Sequence, residues 1–99
     1  MKYVVSWISR AGLGEADAER SLAVFAKWAP LPTAAFSEFV GRLDGRGGFA
    51  VVETDDPSAV LRDAAIFGAW FDFDVCPVID IAELARVANE AVEFRKSVS

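Results

Sequence analysis

Ninety-nine residues, 54% of them hydrophobic and 25% charged, fit one domain over residues 1–99 and exclude a disordered or collagen-like chain, because the apolar surface offsets the entropy of ordering. One cysteine excludes an intramolecular disulfide framework, and a formal charge of -5 opposes a phosphate backbone, so no nucleic-acid partner is expected. A compact chain of this length has an expected radius of gyration of about 13 Å.

Residues 2–8 alternate Tyr3, Val5 and Trp7 with Val4, Ser6 and Ile8, a pattern that predicts a central strand buried on both faces. Residues 10–14 (RAGLG) read as a loop. From Glu15 to Ala29 the period becomes helical, with Ala18, Leu22, Phe25 and Ala29 on one face and Val24 and Trp28 widening it. Glu15, Asp17 and Glu19 suit the positive end of that helix. Pro30 and Pro32 stop it.

A second strand is predicted over Ala35–Leu43, with Phe36, Glu38, Val40 and Arg42 on one face and Ser37, Phe39, Gly41 and Leu43 on the other. The glycines from Gly45 to Gly48 mark a reversal, and Phe49–Thr54 completes an antiparallel hairpin. Asp56 before Pro57 is a helix start: the carboxylate can cap open amides, and proline loses no hydrogen bond at the first helical position. Val60, Leu61, Ala64 and Phe67 form that helix's apolar stripe. Beyond Gly68, Phe71, Phe73 and Val75 alternate with Asp72, Asp74 and Cys76 as a fourth strand, and Asp80 and Glu83 have the spacing of a capping box for a last helix.

The order β-α-β-β-α-β-α predicts an α+β, ferredoxin-like unit with an extra C-terminal helix. Its helix-free sheet face lacks cover. Two chains are therefore expected to form a homodimer there or along an edge, a grouping to which Tyr3, Val5, Trp7, Phe36, Val40, Phe49 and Val51 would contribute.

Charge is uneven along the chain. Residues 1–50 hold six basic and five acidic side chains and residues 51–99 four and ten, so no basic cluster favours nucleic acid. The longest apolar run, Ala64–Phe71, falls far short of the roughly 20 residues that span a bilayer, and the opening residues are too short an apolar run for a secretory leader. No membrane association and a cytoplasmic location are expected.

The segment Glu53-Thr54-Asp55-Asp56-Pro57, then Trp70, then residues 73–78 (FDVCPV), resembles a small bacterial family of unknown function, the one numbered thirty-three hundred and three. The opening Met1-Lys2-Tyr3 and the Gly45–Phe49 turn agree in character, so the resemblance covers roughly residues 2–90. It implies a place among the dimeric α/β barrels, in which two four-stranded units pair. That superfamily holds small monooxygenases, isomerases, haem-degrading enzymes and ligand-binding regulators, so the resemblance leaves the chemistry open.

The absence of histidine removes the usual haem ligand, His-containing dyads and His-carboxylate iron sites, and no cofactor or metal is expected. Gly12-x-Gly14 and Gly45–Gly48 lack the residues that a dinucleotide fingerprint or phosphate loop needs, and read as turns. Cys76 reads as a buried structural cysteine, since the nearby Asp72, Asp74 and Asp80 would oppose a thiolate.

Glu53 shares strand parity with Phe49 and Val51. It is either a partly desolvated general base in an apolar cavity or a solvated strand end beside Asp55 and Asp56. Arg42 would either pair with Glu53 and stabilise developing negative charge, or form a surface salt bridge. Tyr3, Trp7, Phe49 and Trp70 could line a cavity and stack on a flat ligand, although core or interface packing explains them as well. Two functions follow: a homodimeric binding or accessory protein for a small organic molecule, or a cofactor-independent oxygenase or isomerase with Glu53 as base and Arg42 as its catalytic partner.

Overall fold

In the computed structural model, which describes residues 1–99, the elements run β1 (Lys2–Ser9), α1 (Glu15–Lys27), β2 (Ala35–Gly41), β3 (Gly47–Glu53), α2 (Pro57–Phe67), β4 (Phe71–Val78) and α3 (Ile81–Ser97). All strand pairs are antiparallel, and the sheet order is β2-β3-β1-β4, the ferredoxin-like arrangement. β1 is central, as its two apolar faces predict.

Cross-strand register sorts the side chains between the two faces. Val5 lies opposite Ala50 and Val75, and Trp7 opposite Gly48 and Phe73. With Val52 these residues face α2, whose Val60 joins Val5, Ala50 and Val52 in the buried core. Lys2, Val4, Ser6 and Ile8 point to the other side with Phe49, Val51, Glu53, Asp72, Asp74 and Cys76.

A bulge in β2 decides where its aromatics go. Phe36 pairs with Val52 and Glu38 with Val51, so Ser37 is the extra residue. The register then continues with Phe39 opposite Ala50 and Val40 opposite Phe49. Phe36 and Phe39 therefore share the helix-covered face, whereas strict alternation had separated them. Tyr3, Val5, Trp7 and Phe36 accordingly do not group with Val40, Phe49 and Val51. Arg42 falls in the turn after β2 instead of inside the strand, since β2 ends at Gly41.

The expected barrel does not form. A closed barrel has no free edge, whereas here β2 pairs only with β3 and β4 only with β1. The sheet stays open, with β2 and β4 at its two edges.

α2 starts as expected, with Asp56 Oδ1 accepting the amide of Ser58 at 3.2 Å. Thr54, buried to 4% exposure, holds the strand-to-helix corner through its hydroxyl, which accepts the Asp56 amide at 2.9 Å. At α3 the expected capping box is missing: the Asp80 side chain makes no cap bond and instead meets Lys2 Nζ at 3.2 Å. The radius of gyration, 18.0 Å with a long axis of 63 Å, exceeds the compact expectation because α3 projects from the body. Along α3 only Val92 is even half-buried.

Candidate functional site

Between the helices and the sheet lies a cavity of about 230 Å³. Sixteen residues line it, and only Ser21 and Asp63 are polar. Its floor is the sheet, with Val5 and Trp7 from β1, Phe36 and Phe39 from β2, Ala50 and Val52 from β3, and Phe71 and Phe73 from β4. Ser21, Leu22 and Phe25 from α1, Trp28 just after it, and Val60, Asp63, Ala64 and Phe67 from α2 form the roof. Leu22 is 67% exposed and Phe25 47%, so the mouth lies on the α1 side.

Trp28 is the hub of the wall. Its ring stacks on Phe25 at 5.9 Å and meets Phe36, Phe39 and Phe67 edge-on at 5.9, 5.8 and 5.8 Å. Such edge-to-face pairs place the positive rim of one ring against the negative face of the next. The indole N–H donates to Asp63 Oδ1 at 2.9 Å, and Arg62 Nη1 approaches the same oxygen at 3.4 Å. The bond orients the indole while providing its only polar atom with an acceptor. On the opposite wall Trp7 contacts Phe39 at 5.7 Å and Phe73 at 6.2 Å between ring centroids.

Trp7 can lie flat against β3 because Gly48 is opposite it. A Cβ on Gly48 would stand 2.5 Å from Trp7 Cζ2 and would also strike the Val40 carbonyl oxygen. Glycine is needed there for close approach, while its conformational freedom is used at Gly45, where φ is +72° in the hairpin turn.

The sequence-predicted site residues divide among separate places. Trp7 lines the cavity, and Tyr3 lies four residues away on the same face, packed against the core. Phe49 points to the opposite face and is 47% exposed. Trp70 sits in the turn between α2 and β4, where its carbonyl accepts the Arg10 amide at 2.9 Å.

Glu53 and Arg42 are not brought together. Glu53 pairs across from Ala35 at one end of the hairpin, while Arg42 follows Gly41 at the other, roughly 20 Å away along the strands. Glu53 shares the Phe49 face, across the sheet from the cavity. Arg42 forms its surface salt bridge with Asp44, a carboxylate whose pKa is lowered first by the Arg46 amide and then by the Arg42 guanidinium. Cys76, expected to be buried, is exposed on the helix-free side because β4 is an edge strand with no helix over that face. Asp72 on that face pairs with Arg10 at 3.1 Å. No three His, Cys, Asp or Glu side chains converge in a group that could hold a metal ion.

The order and spacing of these elements match the family described as Domain of unknown function (DUF3303) over residues 1–92. The chain belongs to that family. A search of curated proteins finds no match to this DUF3303 chain. The match includes β1 through β4 and the first turns of α3, and so covers every residue lining the cavity.

Trp28, Phe67 and Asp63 went unnoticed as site residues in the sequence. The aromatic part of the signal is present: Phe25, Trp28 and Phe67 lie on helix stripes that read simply as core, while Asp63, four residues before Phe67, belongs to no stripe read from the sequence. No helix of this DUF3303 protein is long and apolar enough to cross a membrane.

Proposed function

We propose that this DUF3303 protein binds a small, uncharged, largely apolar organic molecule in the helix–sheet cavity. The observation that carries the reading is an aromatic-walled space of about 230 Å³ with two polar residues in its lining, one of them already engaged by Trp28. A dry apolar cavity of about 150 Å³ is known to hold benzene, so this one has room for a molecule of one or two rings. Flat ligands suit it best, since Trp7, Trp28 and Phe67 offer ring faces and edges for stacking.

Charge selects against other classes. An anionic ligand would meet Asp63 without a cation aimed into the cavity, as Arg62 approaches that carboxylate from an exposed position. A binding or accessory role therefore agrees better with the geometry than oxygenase or isomerase chemistry, which would require Glu53 and Arg42 to act together on a shared substrate. A cytoplasmic location is part of this reading and is supported only by the free, exposed Cys76, which suits a reducing compartment.

The test uses the neutral two-ring fluorophore 1-naphthylamine. Saturable binding near one per chain is expected, and Ala64→Leu, which adds volume within the lining, should weaken it at least tenfold. Phe49→Ala, on the other face of the sheet, should leave it unchanged. Equal binding by wild type and Ala64→Leu, with both folded by circular dichroism, would refute the site.

A further inference from the structure

We infer that α3 is an exchange arm: its apolar half packs on the helix-free sheet face of a second copy of this chain, and the second copy returns the contact.

α3 has two contrasting sides. At 100° per residue, Ile81, Leu84, Val87, Ala88, Ala91 and Phe94 fall within one half of the helix surface. On the other half, Arg86 bridges Glu83 at 2.6 Å and Glu90 at 3.2 Å, so the charged side is internally paired. The apolar side has no partner within the chain: Ile81 is 78% exposed and Phe94 70%. An exposed apolar stripe of this length on a helix that leaves the body is a surface awaiting cover.

The same chain carries a matching uncovered surface. On the helix-free face, Val4, Ile8, Val40, Phe49 and Val51 form an apolar centre across three adjacent strands. α3 has 17 residues and is about 25 Å long, and strands of seven or eight residues are about as long, so the helix can lie along the sheet.

Charge points to the same occupant. Glu38, Glu53 and Asp74 rim the apolar centre without an ion-pair partner, and Arg95, which falls within the apolar half of α3, also has none. A second copy brings Arg95 to these carboxylates. Two reciprocal contacts would bury roughly 2,000 Å² in total, within the range of a stable dimer. Intramolecular docking is opposed by the observed course of the chain: only Ile79 and Asp80 separate β4 from α3, Asp80 is held by Lys2, and the helix runs outward.

Complementation between two variants tests the exchange. Sedimentation equilibrium of the wild type should give twice the 10.7 kDa chain mass. Leu84→Asp with Val87→Asp, and separately Phe49→Asp, should each give folded monomers. Mixing the two variants should give a heterodimer, because one intact arm can still reach one intact sheet face. Val40→Lys serves in place of Phe49→Asp if the latter fails to fold. A monomeric wild type would overturn the inference, as would a dimeric Phe49→Asp or the absence of heterodimer on mixing. Pairing of two α3 helices, or of two sheet faces, would show no such rescue. Failure here would leave the cavity's binding assay unaffected, since the two surfaces lie on opposite sides of the sheet.

Discussion

Replacing Gly48 with alanine should destabilise the protein and distort the cavity together. The added Cβ would lie 2.5 Å from Trp7 Cζ2, about an ångström inside ordinary van der Waals contact, and would strike the Val40 carbonyl on the other side. The indole could yield by rotating, but the carbonyl belongs to the β2–β3 ladder and can move only with its strand. Overpacking of this kind costs about 1–3 kcal/mol, partly offset by the roughly 0.5–1 kcal/mol by which alanine favours folding over glycine through restricting the unfolded chain. A net loss of about 1–2 kcal/mol corresponds to a Tm lower by roughly 4–15 °C for a domain of this size. Urea denaturation followed by tryptophan fluorescence would report it, and the weakened affinity for the naphthylamine probe would report the displaced Trp7. A Gly48→Ala variant with unchanged midpoint and unchanged binding would refute the close approach of Trp7 to β3.

Trp28→Phe keeps an aromatic ring but removes the pyrrole half of the indole and the N–H donated to part-buried Asp63, so a loss of about 1–3 kcal/mol is expected by urea denaturation, larger than for Trp70→Phe, whose indole N–H has no protein acceptor. Asp56→Ala removes the cap on the Ser58 amide and should cost about 1 kcal/mol, with Asp56→Asn recovering most of it. Asp44, held by the Arg46 amide and the Arg42 guanidinium, has a lowered pKa; its stabilising effect is present above the ordinary carboxylate pKa and is lost as pH falls through the depressed folded value. Carboxyl-resolved NMR should find Asp44 titrating below the ordinary carboxylate range, and Arg42→Gln should raise its pKa.

The sequence made most of the backbone legible because its signals are local. Alternation in β1 and β4, prolines after α1, and Asp56-Pro57 at α2 each act through neighbouring residues. What depended on distant pairing was harder. The bulge at Ser37 shifts β2 by one position and moves Phe39 onto the cavity face, and nothing in the residues 35–41 themselves announces it. The same limit applies to the site. Trp7 was legible as a large aromatic on a strand, but the cavity arises from α1 and α2 standing over all four strands. Glu53 had the right parity to lie beside Phe49 and Val51, and it does; the face it shares is the one without helices. α3 reads in the sequence as an appended C-terminal helix, which does not say that its apolar half is left without a partner in the chain.

The most direct test of the account is a crystal structure of the protein under xenon pressure. Xenon is expected in the space bounded by Trp7, Trp28, Phe39 and Phe67, because a polarisable guest gains dispersion contact with a lining that is almost wholly apolar. A helix–sheet interior collapsed around those rings, with no xenon between them, would contradict it.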